Sequence, residues 1–409
     1  MDYIKKLPKI ELHCHLDGSL PKATIKELLG REVEDSELSV SEDCKSLTEY
    51  LQKFDLPLSA LTSYAAFKEA AKDFVLSLQA DNTIYAEVRF APLLSVNANL
   101  KLRDIMEAVI EGLKEGKALT GIDVGLIACA MRHHEPEKSL RMFSEIRDYL
   151  GFGLNALDLA GDESKYPMSL FMDLFKKAKC MGYPFTIHAG ECRDVRNVLL
   201  SVETGALRIG HGIALSGQRD AIKLCKDKGI GIEMCPISNL QTKAVDDIKA
   251  YPLKEFLEAG LSVTVNTDNR TVSNSTMEKE LEFVANEFAL GEDVIKKLMI
   301  NAANLAFADD NIKHNLLNKY CSTCRECFTP STNILIKRCI KKGAIERLEP
   351  NFICHALISK EKVQLAQTNE LLDKIFDGSI DKMFTALIGN KQLSKKQIKE
   401  LKDLVKNLE

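Results

Sequence analysis

Ile10-Glu-Leu-His-Cys-His-Leu-Asp-Gly18 is the stretch around which the rest of the chain is organised. Ile10, Leu12, Cys14 and Leu16 alternate with Glu11, His13, His15 and Asp17, the period-two pattern of a strand with one face turned into a core. His13 and His15 therefore share a face. Side chains two residues apart on a strand lie about 7 Å apart. Where the strand end splays, two imidazoles at that spacing converge on one ion, and His-x-His presents the neutral nitrogens that zinc takes. Gly18 lets the chain turn out of the strand. A lone His-x-His reads equally well as a hydrogen-bonded loop pair, so the residues further along decide.

Working outward, apolar or β-branched runs recur at 84–91, 124–131, 154–160, 185–189, 207–213, 229–234 and 263–267, separated by charged segments of helical period. With the opening stretch these make eight strands. Eight alternations of strand and helix in about 300 residues predict a parallel sheet closed into a (β/α)8 TIM barrel, because parallel neighbours need helical crossovers. An open doubly wound sheet is the other arrangement such alternation allows, but no Gly-x-Gly-x-x-Gly follows the first strand. The connection over residues 21–80 is long and reads as helical, with Phe54, Leu56, Leu58, Leu61, Tyr64, Phe67 and Phe74 at near-helical spacings that suit a core or a helix beside a ligand site.

The 409 residues, 45% hydrophobic, suffice for one large domain and a small one. A formal net charge of −4 gives no global reason to expect a nucleic-acid partner. No apolar run approaches a membrane span and no signal peptide is read at the start, so a cytoplasmic protein is expected. Most of the twelve cysteines are scattered, as in a reducing compartment; only Cys321, Cys324 and Cys327 cluster. These three, lacking a second Cys or His pair at finger spacing, read as linker rather than as a zinc knuckle.

In the barrel fold active sites lie at the C-terminal strand ends. Each expected strand leads into a polar cluster: His13 and His15, Glu87-Val-Arg89, Arg132-His-His134, Gly161-Asp-Glu163, His188-Ala-Gly-Glu191, His211, Ser238-Asn239, and Asp268-Asn269, all expected on one rim. His13, His15, His188 and Asp268 would supply three nitrogens and a carboxylate from strands one, five and eight, a set that suits one zinc ion with an exchangeable water. A bound divalent ion makes its water acidic enough to deliver hydroxide near neutral pH. Glu191, three residues beyond His188, is placed to donate a proton without binding metal, or else to sit as a carboxylate at a helix N-terminus. His211, one strand on, could accept a proton from the water or steady its developing charge.

Residues 1–310 resemble the adenosine deaminase family through Glu11-Leu-His-Cys-His-Leu-Asp-Gly-Ser19, Met131-Arg-His133, Leu159-Ala-Gly-Asp-Glu163, His188-Ala-Gly-Glu191, Gly210-His-Gly212, Cys235-Pro-Ile-Ser-Asn239 and Asn266-Thr-Asp268. The resemblance implies a zinc-dependent barrel that hydrolyses adenosine and 2′-deoxyadenosine to the inosines and ammonia. It also implies the roles: His13, His15, His188 and Asp268 as metal ligands, Glu191 as the proton donor to purine N1, and His211 acting on the attacking water. His15 and Asp17 would meet the substrate, Asp17 at the ribose, and Gly161 the purine edge. Many members carry a second aspartate after the eighth strand; Asn269 stands there, and an amide can donate to purine N7 without first being protonated. That departure keeps adenine or a modified purine nucleoside open as the substrate.

After Ala308 the alternation stops, and the polar residues 309–319 read as a boundary, followed by a linker over 320–330. Residues 331–409 are expected to be mainly helical, with a short hairpin over 344–357. This stretch resembles the penicillinase-repressor family of winged-helix regulators through Leu335-Ile-Lys-Arg-Cys-Ile-Lys-Lys-Gly-Ala-Ile345, Leu357-Ile-Ser-Lys-Glu361 and Leu372-Asp-Lys-Ile-Phe-Asp-Gly-Ser379. The resemblance implies a recognition helix over 333–342, a wing and a dimerisation module, although the helices that should precede the recognition helix have no counterpart. With 15 basic against 10 acidic residues in 328–409, the segment is only mildly basic, and its Lys337, Arg338, Lys341 and Lys342 read as a solvated helix face. A deaminase and a nucleoside-sensing DNA-binding regulator are the two functions in view, and the complete metal and acid–base set favours the deaminase; the apolar faces of the last helices suit self-association with another copy or docking on the barrel.

Overall fold

The computed structural model describes residues 2–41, 44, 47–320, 345–348 and 353–356. The chain divides into two compact units, Met1–Cys327 and Phe328–Glu409. In the first, eight strands appear where the apolar runs stand: β1 (Lys9–His15), β2 (Thr83–Phe90), β3 (Asp123–Met131), β4 (Leu154–Ala160), β5 (Thr186–Ala189), β6 (Arg208–His211), β7 (Gly231–Met234) and β8 (Ser262–Val265). All neighbours are parallel, in the orders β1-β2-β3-β4 and β5-β6-β7-β8. Single bridges span the two seams, Leu157 to Phe185 and Cys14 to Asp268. At the second seam His15 N–H donates to Asp268 O at 2.7 Å and Asp268 N–H to His13 O at 2.9 Å, which brings the last strand end beside the first.

Helices separate the strands, as parallel pairing requires. Their inward faces carry Phe67, Phe74, Ile105, Val109, Phe143, Phe175, Val198 and Phe256, all buried against the strands. The eighth strand is followed by helix Met277–Glu287 and then by helix Glu292–Leu305, which packs on β8 and β1 and whose Asn301 Nδ2 donates to Val263 O. The polar stretch read as a boundary is itself helical, Asp310–Asn318. Asp309 caps it by accepting from Ile312 N–H at 2.9 Å, and it buries Leu316, so its short apolar face was outweighed in the sequence by the charges around it.

Within the strands the alternation puts charge, not only aliphatic groups, inside the barrel. Glu87 and Arg89, expected on the rim, are buried in the interior with Asp158, Arg208 and Glu233. Arg89 bridges Asp158 at 2.8 Å and Glu233 at 2.9 Å, while Arg208 reaches Glu87 at 2.6 Å and also Glu233. A buried guanidinium is tolerable only with such partners. The correction has a simple cause: these residues share the period of their strands, and inward-facing charge cannot be told from outward-facing charge without the partners.

The long first connection contains the short helices Asp35–Leu38, Leu47–Leu51 and Asp55–Ala60 before the longer Tyr64–Ser77, which Ser63 caps. Val40, Cys44, Tyr50 and Phe54 form a small apolar cluster of their own with Val272, from the loop after β8. In the second unit, β9 (Ile345–Leu348) and β10 (Ile353–Ala356) pair antiparallel where the hairpin is expected. The helices expected at 333–342, at 359–376 and near the C-terminus, and Cys321, Cys324 and Cys327, lie outside the described residues. Among the described residues no helix is long and apolar enough to cross a membrane.

Candidate active site

Four histidines and an aspartate converge where β1, β5, β6 and β8 end. His13 and His15 lie on the inward face of β1, His188 in β5 and His211 at the end of β6, and Asp268 follows β8 by three residues. One ligand atom from each of His13, His188, His211 and Asp268 lies within 4.8 Å of the others. His15 joins them: its Nε2 is 3.1 Å from His188 Nε2 and 3.5 Å from Asp268 Oδ1. His13 Nε2 stands 3.4 Å from the same oxygen.

The outward ring nitrogens are held from behind. His13 Nδ1 lies 2.8 Å from Glu233 Oε2, His188 Nδ1 2.9 Å from Asp158 Oδ2, and His211 Nδ1 3.0 Å from the Asn239 amide, whose Oδ1 accepts from Tyr251 Oη. Carboxylates behind ligand histidines fix the tautomer and leave Nε2 as the ligand nitrogen. Arg89 ties Asp158 to Glu233, so one guanidinium steadies the partners of two histidines. Ser238 Oγ donates to Asp268 Oδ2 at 2.6 Å, which orients the carboxylate with its other oxygen toward the histidines. Burial pushes the Asp268 carboxyl up, but the attraction of His13, 3.4 Å away, and of the other nearby histidines outweighs it and brings the group below its ordinary value.

These residues fit a divalent metal. His13 Nε2 is fully buried and has no hydrogen-bond partner in the protein, which is costly for a polar atom unless something else meets it. Three or four imidazole nitrogens with one carboxylate oxygen are the donors that zinc, among the common divalent ions, accepts in a catalytic site.

Glu191 lies on the turn after β5, half-buried, with Oε1 accepting from Thr242 Oγ at 3.1 Å and Oε2 3.9 Å from His211 Nε2. Backbone strain concentrates here: His211 has φ 64° and Asp268 φ 61°, left-handed values uncommon outside glycine. Gly161 follows β4 with φ 108°, a conformation that favours glycine. A cavity of about 250 Å³ beside Glu191 is lined by Asp162, Glu163, Cys192, Arg193, Thr242 and Lys243.

Asp17 and Asn269 are buried next to β1 and β8. Burial pushes the Asp17 carboxyl up to about 6, against the pull of the Asp17 and Gly18 backbone N–H groups. Asn269 Nδ2 donates to Tyr50 Oη at 2.9 Å, while its Oδ1 sits so close to Gly18 that a Cβ there would fall 2.0 Å from it. Gly18 is thus required by the close approach of Asn269, in addition to the turn that the sequence suggests. Tyr50 Oη also bonds Ser273 Oγ at 2.7 Å and ties the first connection to the loop after β8.

His13, His15, His188, His211, Asp268 and Glu191 come together here, with Asp17 and Asn269 at the adjoining ends of β1 and β8 and Gly161 at the end of β4, whereas His133 is exposed and His134 half-buried beside Lys138. Asp158, Glu163, Glu233, Thr242 and Tyr50 are the participants that sequence reasoning did not assign. Asp158 and Glu163 stand in or beside a quoted motif, which is the one signal that could have marked them.

An adenosine deaminase family model matches residues 8–322, and a penicillinase repressor model matches residues 310–407. An adenosine deaminase of Clostridium botulinum (strain Okra / Type B1) is 42% identical over 324 residues, covering 76% of this chain and 96% of the relative. The N6-methyl-AMP deaminase of Arabidopsis thaliana superposes with a TM-score of 0.69 at 25% identity, covering 80% of this chain and 99% of that one. A zinc-bound amidohydrolase from Burkhoderia ambifaria gives a TM-score of 0.71 at 21% identity, over 83% and 94% of the two chains, and so bears on the fold.

Proposed function

The chain belongs to the adenosine deaminase family, and on that premise we propose that it hydrolyses adenosine and 2′-deoxyadenosine to inosine and 2′-deoxyinosine, releasing ammonia, with one zinc ion held by His13, His15, His188 and Asp268. The observation that carries the reading is the convergence of those four side chains on the buried, unpartnered His13 Nε2, with Glu191 and His211 beside them. When bound, the ion would polarise a water and make it nucleophilic near neutral pH.

The chain's own groups divide the remaining work. Glu191, steadied by Thr242, delivers a proton to purine N1, which makes C6 electrophilic. His211, whose Nδ1 accepts from the Asn239 amide, carries its hydrogen on Nε2 and turns that N–H to the centre, where it steadies the charge that develops on the attacking oxygen. Water adds at C6, one of its protons completes the departing amine and the other returns Glu191 to its acid form, and the C6–N6 bond breaks to give ammonia and the C6 carbonyl. His15 is assigned to the metal rather than His211 because its Nε2 stands beside both His188 and Asp268, whereas His211 Nε2 faces Glu191. Gly161 meets the purine edge, Asp17 the ribose, and the second N–H of Asn269 Nδ2 purine N7.

Following the ultraviolet change from adenosine to inosine with zinc-loaded protein tests this reading. Turnover of adenosine well above that of adenine and of AMP supports it. No turnover of adenosine by fully loaded protein contradicts it, and a preference for an N6-methylated nucleotide would redirect it to the modified-purine reading that Asn269 keeps open.

A further inference from the structure

Glu163 is a buried carboxylate that the chemistry above does not use. It sits two residues beyond Gly161 on the loop leaving β4, 5% exposed. Its two oxygens accept from three consecutive backbone N–H groups on the loop leaving β5: Gly190 at 2.7 Å to Oε1, Glu191 at 3.0 Å and Cys192 at 3.1 Å to Oε2. Successive N–H groups pointing to one side form a concavity that binds an anion. Here the anion is the chain's own. The turn that makes the concavity is sharp, with Gly190 at φ 83° and Arg193 at φ 65°.

Those bonds orient the peptide planes on both sides of the Glu191 Cα, and so fix the direction in which its side chain leaves the backbone. A second anchor acts just upstream. Arg132, buried at the end of β3, donates from Nη2 to His188 O at 2.7 Å and from Nη1 to Tyr166 O at 2.6 Å. The β5 end is thus gripped through a carbonyl at residue 188 and through three N–H groups at 190–192. Glu191's side chain is itself met by Thr242 Oγ and, at greater distance, by the His211 ring.

The loop that carries Glu163 begins at Gly161. In the proposed function Gly161 meets the purine edge, and Glu191 meets N1 of the same six-membered ring. We propose that Glu163 is a positioning residue that sets the spacing between these two groups, so that the proton of Glu191 arrives at N1 when the ring rests against Gly161. This rests on the deaminase reading. Both Glu163 oxygens are taken up by backbone N–H groups and none of these bonds reaches a metal ligand, so its removal acts on proton delivery and not on metal binding.

The test compares wild type, Glu163→Ala and Glu163→Gln as full-length, zinc-loaded proteins. Measured are zinc content, thermal midpoint, and kcat and KM for adenosine and for 3-deazaadenosine, in which a C–H replaces N3, the ring acceptor left for a Gly161 backbone N–H once Glu191 holds N1. Misplacing a catalytic group by about 1 Å costs on the order of 100-fold. Glu163→Ala should therefore lose roughly 10- to 100-fold in kcat, with zinc content unchanged and KM moved less than kcat. Glu163→Gln keeps the side chain's volume and one acceptor oxygen, and should lie between the two. The rate loss from the 3-deaza change should be smaller in the variants than in wild type, because two groups that act as a unit are not additive. If the alanine variant does not fold, the glutamine variant carries the comparison. Wild-type-like kcat per bound zinc in folded variants, or loss of zinc with kcat per zinc retained, overturns the proposal. Failure of wild type itself to turn over adenosine would instead strike the deaminase reading, so the two failures are distinct.

Discussion

Strands β1–β4 run for seven to nine residues and β5–β8 for four each, yet the short half supplies Glu191, His211 and Asp268. In that half the chain leaves the sheet early and turns hard. His211 and Asp268 have left-handed φ, as do Gly190 and Gly212. Early, strained exits put side chains over the barrel axis, whereas the longer strands hold Glu87, Arg89 and Asp158 inside as a regular scaffold. The halves meet in the ladder only through single bridges, and buried ionic groups cross the interior between them: Arg89 to Glu233, Arg208 to Glu87, His13 to Glu233 and His188 to Asp158. The long half also gives His13 and His15 to the site, and the short half gives Arg208 and Glu233 to the buried ionic set, so charge joins the two halves into one scaffold.

Breaking the short half should cost most. Asp268→Ala removes a carboxylate that faces both His13 and His15, so metal content by elemental analysis should collapse and activity should fall to background. Glu191→Gln keeps shape and metal but has no acidic proton to give, and kcat should drop by roughly 100- to 10,000-fold. A Glu191→Gln protein that loses its metal while keeping its activity per metal would show that Glu191 is a ligand.

Breaking the scaffold should cost stability before chemistry. Arg89→Met leaves Asp158 and Glu233 buried without their shared counter-charge, and removing one member of such a set costs about 3–5 kcal/mol. Denaturant unfolding should register that loss, and chelator titration should show weaker metal retention, because the partners of His188 and His13 are no longer steadied. If stability held while kcat alone fell, Arg89 would belong to the chemistry and the division between the halves would blur.

Two smaller effects sharpen the picture. Tyr50→Phe deletes the hydroxyl shared by Asn269 and Ser273; one such bond is worth about 1 kcal/mol, so KM for adenosine should rise roughly fivefold with metal content unchanged. A chain ending at Cys327 keeps the whole first unit and should retain wild-type kcat, while light scattering reports whether the second unit governs self-association. Salt-insensitive binding of duplex DNA by the full chain would give the tail a regulator's role instead.

All eight strands could be read from the sequence because each is an apolar run between helical segments, even the four-residue ones. The site residues could be read because His13, His15, His188, His211 and Asp268 stand at the ends of those runs. What could not be read depends on pairs remote in the chain. Glu233 meets His13 across 220 positions and Arg208 meets Glu87 across 121, and one sequence holds no record of such partners. Glu163 shows the same limit: its motif was visible, but its bonds run to backbone N–H groups, which have no sequence signature. Helix Asp310–Asn318 was passed over for another reason, since its apolar face of Ile312, Leu316 and Leu317 is short and surrounded by charge.

The most direct measurement of the central claim is a metal titration of turnover. Full-length protein stripped by chelator is reloaded with increasing zinc, and adenosine deamination is followed by ultraviolet absorbance beside the bound metal. Activity should rise in proportion to zinc and saturate at one ion per chain, with Glu191→Gln binding the same single ion and remaining inactive. Full activity in the metal-free protein, or saturation at two ions per chain, would contradict it.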